Sequence, residues 1–199
     1  GETEVWRDPL HKLKPVYAIP PLLTADQEKV WAQIATEITT PSFRKPNLLV
    51  GVTGSGKTEI YLRAAAEVLK SGKGVIILVP EISLTPQTVK RFFGRFPGKV
   101  GLVHSQLSPG EKYDTWRRIR AGQLPIVVGA RSALFSPLPE IGLIVIDECH
   151  DSSYHQEDFQ PHYHAIPAAA ALSRITGAHL LLGSATPEVE TLYLFEQRA

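Results

Sequence analysis

The sequence predicts an α/β fold in which helices cover both faces of a parallel β-sheet. Short apolar runs of strand length recur along the chain, and segments with helical periodicity or helix-start signals separate them. The apolar runs are continuous rather than alternating, which is typical of strands buried on both faces. Helices between the strands provide the crossover connections that parallel pairing needs. In this fold class, ligands bind at the carboxyl ends of the strands.

The individual elements follow from capping signals and apolar runs. A capping box or a threonine before proline marks four helix starts, which follow Thr24, Thr85, Ser108 and Thr186. Two more helices are predicted, one after the glycine-rich loop at 51–58 and one that ends near Thr176. The apolar runs predict six strands, at residues 48–50, 75–79, 100–103, 126–128, 143–146 and 180–182.

Residues 1–21 are interrupted by prolines and show no sustained period, which predicts an extended arm or an interdomain linker. We assign residues 22–199 to a single domain. The chain has no signal-peptide pattern and stops inside an apparently helical segment at 192–197. We therefore expect it to be a piece of a longer protein.

Charge and composition exclude several classes of protein. The 21 basic and 20 acidic residues leave a net charge of +1, so charge indicates no general affinity for polyanions. The single cysteine, Cys149, excludes a disulfide framework and a cysteine-rich zinc site within the chain, and it suits a reducing cytosol. The apolar runs are strand-sized, far short of the roughly 18 residues of a membrane span, so we expect no membrane association.

The glycine-rich loop at 51–58, GVTGSGKT, fits the phosphate-binding pattern G-x-x-x-x-G-K-[ST] at every fixed position. It lies between a predicted strand and a predicted helix, where its glycines let backbone N–H groups approach a polyphosphate. Lys57 would reach the β- and γ-phosphates, and the Thr58 hydroxyl would bind Mg²⁺. A glycine turn that caps an ordinary helix is the weaker alternative. The predicted nucleotide-binding residues of the loop are Gly51, Thr53, Gly54, Ser55, Gly56, Lys57 and Thr58.

Two carboxylates follow the predicted strand at 143–146. Asp147 is suited to hold Mg²⁺, usually through water, and Glu148 to orient or deprotonate a water that attacks the γ-phosphate. A solvated acidic turn is the alternative, but a phosphate loop earlier in the chain makes it weak. Lys57, Asp147 and Glu148 are therefore the predicted catalytic residues. His150, which follows closely, has either a structural or a functional role.

Three motifs in this order, GVTGSGKT, DECH at 147–150 and SAT at 184–186, resemble those of superfamily 2 helicases. LTPQT at 84–88 and RSALFSP at 131–137 more specifically resemble the bacterial replication-restart helicases. The resemblance covers the chain from about Leu22 onwards. The sequence departs from that family at Cys149, where an acidic residue is usual, and at 166–167, where Ile-Pro replaces an Arg-Asp pair.

This resemblance implies the first RecA-like lobe of a 3′ to 5′ DNA helicase that acts at stalled replication forks. It implies ATP and Mg²⁺ as cofactors, with zinc only in a second lobe outside the chain. Implied partners are single-stranded and forked DNA, the primosome and single-strand-binding proteins, in the bacterial cytoplasm near the nucleoid. The family places an arginine finger on the second lobe, so the chain alone is expected to bind nucleotide weakly and hydrolyse it slowly.

The resemblance also assigns roles outside the phosphate loop. Gln27 would read adenine, and its role in the capping box after Thr24 is an equally good alternative. The segments at 80–87 and 130–132 would hold DNA phosphates without reading bases. The predicted DNA-binding residues there are Pro80, Thr85, Gln87, Arg131 and Ser132. A pure capping role for Thr85 and a surface ion pair for Arg131 remain alternatives.

The aromatic-rich segment at 151–164 resembles a loop that couples single-strand binding to hydrolysis in this family. Tyr154 and Phe159 would stack on bases. The alternative is that these aromatic side chains dock on their own domain. His150, Ser184 and Thr186 are predicted to relay the nucleotide state to the DNA side.

Two other classes compete with this interpretation. A P-loop kinase or a small GTPase would share the phosphate loop, but neither carries DECH or SAT motifs. A non-catalytic module that serves as a nucleotide-dependent platform for DNA or a partner is the second rival class. Within the same superfamily, another translocase is a further alternative. The intact Lys57, Thr58, Asp147 and Glu148 argue against a vestigial site.

Overall fold

A six-stranded parallel sheet forms the centre of the molecule, with its strands in the order β1-β8-β5-β2-β4-β3. The computed structural model describes residues 7–10, 19–40, 46–157 and 160–187. The α-helices within these residues are α1 (Ala25–Thr39), α2 (Lys57–Lys70), α3 (Pro86–Arg95), α4 (Pro109–Arg120) and α5 (Ala165–Thr176). The strands are β1 (Asn47–Val50), β2 (Gly74–Leu78), β3 (Val100–Val103), β4 (Ile126–Gly129), β5 (Ile141–Ile146), β6 (His155–Gln156), β7 (Tyr163–His164) and β8 (His179–Ser184).

Two apolar cores, one on each face of the sheet, hold the layers together. Strands β2, β4, β5 and β8 are buried along their whole length, as their continuous apolar sequences require. Helices α1, α2 and α3 pack in one core, and α4 and α5 contribute to the other. The predicted α/β fold with helices on both faces of a parallel sheet is therefore confirmed. None of the helices that the structure describes is long and apolar enough to span a membrane.

The predicted helix starts at Thr24, Thr85 and Ser108 are confirmed by their capping hydrogen bonds. Thr24 and Ser108 form complete capping boxes, and Thr85 accepts from the N–H of Thr88. The helix predicted after Thr186 lies outside the described residues. Three 3-10 helices, Glu81–Ser83, Arg131–Phe135 and Ser152–Tyr154, and the antiparallel pair β6–β7 were not predicted. Elements of two to five residues are too short to show a hydrophobic period.

Part of the predicted arm packs on the domain. Leu10 is buried in the core that contains α1, α2 and α3. The Asp8 carboxylate accepts from the Arg118 guanidinium of α4 at 2.9 Å, and the Arg7 N–H donates to Asp114 at 3.1 Å. Residues 1–6 and 11–18 of the arm lie outside the described ranges, so the domain boundary at residue 21 stays a prediction.

Candidate active site

The phosphate loop leaves β1 and enters α2 at the carboxyl edge of the sheet. Gly54 and Gly56 have φ angles of 82° and 91°, a left-handed conformation that favours glycine. A Cβ on Gly51 would lie 2.6 Å from Ser55 Oγ, so the loop closes tightly on itself. Within the described residues, no side chain caps α2. Its first N–H groups are therefore available to an anion such as a phosphate.

Lys57 is the first residue of α2, and its side chain is only 7% exposed. Its Nζ donates to the Gly51 carbonyl oxygen at 2.7 Å and lies 3.3 Å from Glu148 Oε1. A buried ammonium needs such partners, because desolvation disfavours its charged form. Lys57 is therefore held at the phosphate loop, where a nucleotide phosphate can replace the Glu148 carboxylate as its partner.

Glu148 lies at the junction of three structural elements. Its Oε2 accepts from the Ala185 N–H after β8 at 3.1 Å, while Oε1 faces Lys57. Its φ is 44°, a left-handed value that is uncommon for a residue with a side chain and that concentrates at functional sites. The contacts hold the carboxylate between the phosphate loop and the end of β8, and its role as a general base stays a prediction.

Asp147 follows β5 directly, and one of its carboxylate oxygens is fully engaged. Oδ1 accepts from the Tyr61 hydroxyl at 2.9 Å and from the Glu148 N–H at 3.1 Å. Burial, the largest cause, raises the pKa of the Asp147 carboxyl above its usual value, while the Tyr61 hydrogen bond opposes this rise. A cation beside the carboxylate would favour its charged form. The assignment of Asp147 to Mg²⁺ stays a prediction.

The three predicted coupling residues form a chain of hydrogen bonds. The Ser184 hydroxyl bonds to His150 Nδ1 at 2.8 Å and accepts from the Thr186 N–H at 3.1 Å. The Ser184 carbonyl accepts from the Gly51 N–H at 3.1 Å. Ser184 thus connects the phosphate loop to the motif after β5, although the relay role of these residues stays a prediction.

Gln27 uses both ends of its amide. Its Oε1 accepts from the Thr24 N–H at 2.9 Å and completes the capping box, while its Nε2 donates to the Ser55 carbonyl oxygen at 2.8 Å. The capping role is therefore confirmed, and the second hydrogen bond attaches Gln27 to the phosphate loop. Whether Gln27 reads adenine stays a prediction.

Two arginines of α3 line the cleft above the phosphate loop and were missed from the sequence. The cleft has a volume of about 510 Å³, and its walls include Lys57, Asp147, Arg91 and Arg95. Arg95 is paired with Glu59 of α2 at 2.7 Å. The i, i+4 spacing of the two arginines places them on one face of α3. That spacing was visible in the sequence, but the direction of the face was not.

The predicted DNA-binding residues lie after β2 and β4, beside the nucleotide site. Thr85 caps α3, and Thr85, Gln87 and Ser132 are exposed, whereas Pro80 is buried. Gln87 and Ser132 thus present exposed polar groups, whereas the Thr85 hydroxyl is bonded to Thr88. For Thr85, the capping role is confirmed and the DNA-binding role stays a prediction.

Tyr154 does not take the position that its predicted role needs. Tyr154 is fully buried, and its hydroxyl donates to the Asp147 carbonyl oxygen at 2.6 Å. Stacking of Tyr154 on a base is therefore inconsistent with the structure, because its ring packs in the domain core. Arg131 Nη1 donates to the carbonyl oxygens of Ser153 (2.8 Å) and His155, and its guanidinium lies over the Tyr163 ring. These contacts attach Arg131, which is partly exposed, to the turn at 152–155, and its DNA-binding role stays a prediction. Phe159 lies outside the described residues.

The sequence model of the DEAD/DEAH box helicases matches residues 24–195 of the chain. The chain belongs to the DEAD/DEAH box helicase family. Membership in this family implies the use of ATP and Mg²⁺, and it agrees with the meeting of Lys57, Asp147 and Glu148 at one cleft.

Relatives with high identity carry one name. Over 188 residues the chain is 48% identical to the replication restart protein PriA of Bacillus subtilis (strain 168). The aligned region covers 94% of the chain and 23% of that protein. Over 144 residues it is 54% identical to the replication restart protein PriA of Synechocystis sp. This aligned region covers 72% of the chain and 17% of that protein. The chain thus spans about a fifth of the length of these relatives.

Among solved structures, RecG bound to a three-way DNA junction superposes with a TM-score of 0.64 at 23% identity, covering 88% of this chain and 22% of that one. At this level of identity the likeness shows the fold alone. It confirms the RecA-like α/β fold of the helicase lobe.

Proposed function

We propose that the chain is the ATP-binding lobe of a replication-restart DNA helicase, which couples ATP hydrolysis to 3′ to 5′ movement along single-stranded DNA. The observation that carries the proposal is the cleft in which Lys57, Asp147 and Glu148 meet, in a chain about half identical to two PriA proteins. In this proposal residues 22–199 form the lobe and residues 1–21 the arm or linker that precedes it.

The phosphate loop binds the nucleotide in this mechanism. The N–H groups of the loop and of the first turn of α2 donate to phosphate oxygens. Lys57 exchanges its contact with Glu148, now at 3.3 Å, for the β- and γ-phosphates. That exchange frees Glu148 Oε1 to accept a proton from the attacking water, while the Ala185 N–H keeps Oε2 in place at 3.1 Å.

Thr58 and Asp147 would hold Mg²⁺, and their positions fit this role. Both residues line the cleft, and Asp147 carries the buried carboxyl whose ionised form a cation would stabilise. When bound, Mg²⁺ neutralises charge that develops on the transferring phosphoryl group. Gln27, held at the phosphate loop through Ser55, would contact the base.

The ends of β2 and β4 would bind the DNA strand. Thr85, Gln87 and Ser132 offer exposed polar groups there, next to helix starts that suit phosphate contacts. The aromatic-rich segment at 151–164 would couple this surface to the nucleotide site, with Ser184, His150 and Thr186 as the relay. In the proposal, forked DNA, the primosome and single-strand-binding proteins are the partners, in the bacterial cytoplasm.

A titration with fluorescent ATP and GTP analogues, with and without Mg²⁺, tests this function. We expect weak binding that Mg²⁺ strengthens and that favours ATP, with little hydrolysis, because an arginine finger from another domain would complete the site. Equal affinity for GTP would favour the GTPase alternative. Steady ATP turnover stimulated by single-stranded DNA would contradict the need for a second lobe. Lys57→Ala serves as the variant that should lose nucleotide affinity.

A further inference from the structure

Tyr61 is a buried polar residue to which the nucleotide site gives no role so far. It lies on α2 one turn after Lys57, so both side chains share one face of the helix. Its side chain is among the largest that are fully buried, at 1% exposed. A tyrosine hydroxyl in such a place needs a hydrogen-bond partner. Its partner is Asp147 Oδ1 at 2.9 Å, 86 residues later in the chain.

The two oxygens of Asp147 are used differently. Oδ1 receives both the Tyr61 hydroxyl and the Glu148 N–H. Among residues 7–10, 19–40, 46–157 and 160–187, no group donates a hydrogen bond to Oδ2. Because a carboxylate is planar, fixing Oδ1 through two donors also fixes the direction of Oδ2. The free oxygen is then available in one orientation to Mg²⁺ or to a water of its coordination shell.

The end of β8 leaves space for this contact. A Cβ on Gly183 would lie 1.7 Å from the Tyr61 hydroxyl oxygen and 3.3 Å from Asp147 Oδ1. Any side chain at this position would displace the hydroxyl from the carboxylate. The glycine that precedes SAT is therefore required by the Tyr61–Asp147 hydrogen bond, and three elements, α2, β5 and β8, are shaped around it.

We propose that Tyr61 is a positioning residue for the Mg²⁺ site: its hydroxyl holds Asp147 Oδ1 so that Oδ2 faces the metal bound with the nucleotide. The inference rests on the proposed function, because it assigns Asp147 to Mg²⁺. Groups that orient a metal ligand in this way typically contribute about 10-fold or more to metal affinity.

Tyr154 offers a matched control. It is also a fully buried tyrosine, and its hydroxyl also donates to Asp147, but to the main-chain carbonyl oxygen at 2.6 Å rather than to the carboxylate. Removal of either hydroxyl takes away one buried hydrogen bond at the same residue. Only Tyr61→Phe removes a donor that holds the carboxylate.

The experiment measures the affinity of a fluorescent, non-hydrolysable ATP analogue for the wild-type chain, Tyr61→Phe and Tyr154→Phe, in Mg²⁺ and in EDTA. We expect Tyr61→Phe to reduce the Mg²⁺-dependent gain in affinity by up to about 10-fold and to leave the affinity in EDTA within about twofold of wild type. Tyr154→Phe should retain the Mg²⁺-dependent gain. Gly183→Ala, which displaces the hydroxyl without changing Tyr61, should reproduce the loss, and circular dichroism checks the fold of each variant.

Each other outcome overturns the proposal in a recognisable way. An equal Mg²⁺-dependent gain in wild type and Tyr61→Phe means that Tyr61 is only structural, while the proposed function stands. Equal losses in both tyrosine variants mean that general stability, not carboxylate orientation, is responsible. A wild-type chain whose nucleotide affinity does not respond to Mg²⁺ overturns the metal site itself, and the role of Tyr61 with it.

Discussion

The carboxyl edge of the sheet has two halves that differ in how their side chains are held. In the half formed by β1, β8 and β5, the charged side chains of the cleft have hydrogen-bond partners within the chain. Lys57 bonds to Gly51, Asp147 to Tyr61, and Glu148 to Ala185. In the half formed by β2, β4 and β3, side chains project into solvent. Ile82 is 82% exposed and Phe135 63% exposed.

This difference matches two kinds of task. Chemistry requires charged groups that are already oriented before the ligand arrives, because reorientation during the reaction costs rate. Binding a long phosphate backbone needs many modest contacts spread along a surface. The half formed by β1, β8 and β5 has charged groups that are already oriented. In the proposed function, the half formed by β2, β4 and β3 binds the phosphate backbone.

A short buried connection joins the two halves. The Tyr154 hydroxyl reaches the Asp147 carbonyl oxygen, and Arg131, at the end of β4, bonds to the carbonyl oxygens on either side of Tyr154. A shift of the turn at 152–155 would therefore move groups in both halves.

The largest expected effect is on catalysis in the nucleotide half. In the full-length protein, Glu148→Gln should lower DNA-stimulated ATP hydrolysis by about 100-fold or more, because it removes the proposed general base while retaining a group that accepts from Ala185. Mg²⁺-nucleotide affinity, measured by titration, should change much less. Hydrolysis within about tenfold of wild type would remove Glu148 from the mechanism. Binding of forked DNA is the control for an intact fold.

A second effect separates the buried connection from the exposed surface. Tyr154→Ala should destabilise the chain by about 3 kcal/mol in urea unfolding, because it creates a cavity and leaves the Asp147 carbonyl without its donor. Gln87→Ala, on the exposed half, should change stability by less than about 0.5 kcal/mol and weaken single-stranded DNA binding instead. Equal stability of Tyr154→Ala and wild type would restore Tyr154 as a candidate for base stacking.

The smallest effect concerns the stability of the metal-free site. Burial raises the pKa of Asp147 in the folded chain, so the folded state binds the proton more tightly than the unfolded state. Stability is then lost as the pH rises from the pKa of Asp147 in the unfolded chain towards its higher pKa in the folded chain. Asp147→Asn cannot ionise and escapes that loss. In EDTA at pH 7 the variant should have a higher melting temperature than wild type, and the difference should shrink towards about pH 4. A lower melting temperature of the variant at pH 7 would contradict the cost of burial.

The sequence predicted the elements whose signals are local. Capping boxes located α1 and α4, and apolar runs located the strands of the sheet to within two residues. The motifs also singled out Lys57, Asp147 and Glu148, which the structure brings to one cleft, and their catalytic roles stay a prediction.

Contacts between distant loops were not predictable in this way. Arg131 contacts Ser153 and His155, 22 and 24 residues away, and no periodic pattern relates these positions. The aromatic loop therefore looked like an open stacking platform, although the packing of the domain buries Tyr154. The Tyr61–Asp147 hydrogen bond was not predicted for a similar reason, since Tyr61 lies on α2 and Asp147 follows β5, 86 residues later.

Hydrogen exchange with each ligand tests the division of the edge most directly. We predict that Mg²⁺ with a non-hydrolysable ATP analogue slows exchange at 51–58, 147–150 and 183–186, and that single-stranded DNA slows exchange at 80–88 and 129–135. The two sets of protected segments should remain distinct when each ligand is added alone. Protection of the phosphate loop by DNA alone, with segment 80–88 unchanged, would contradict the account.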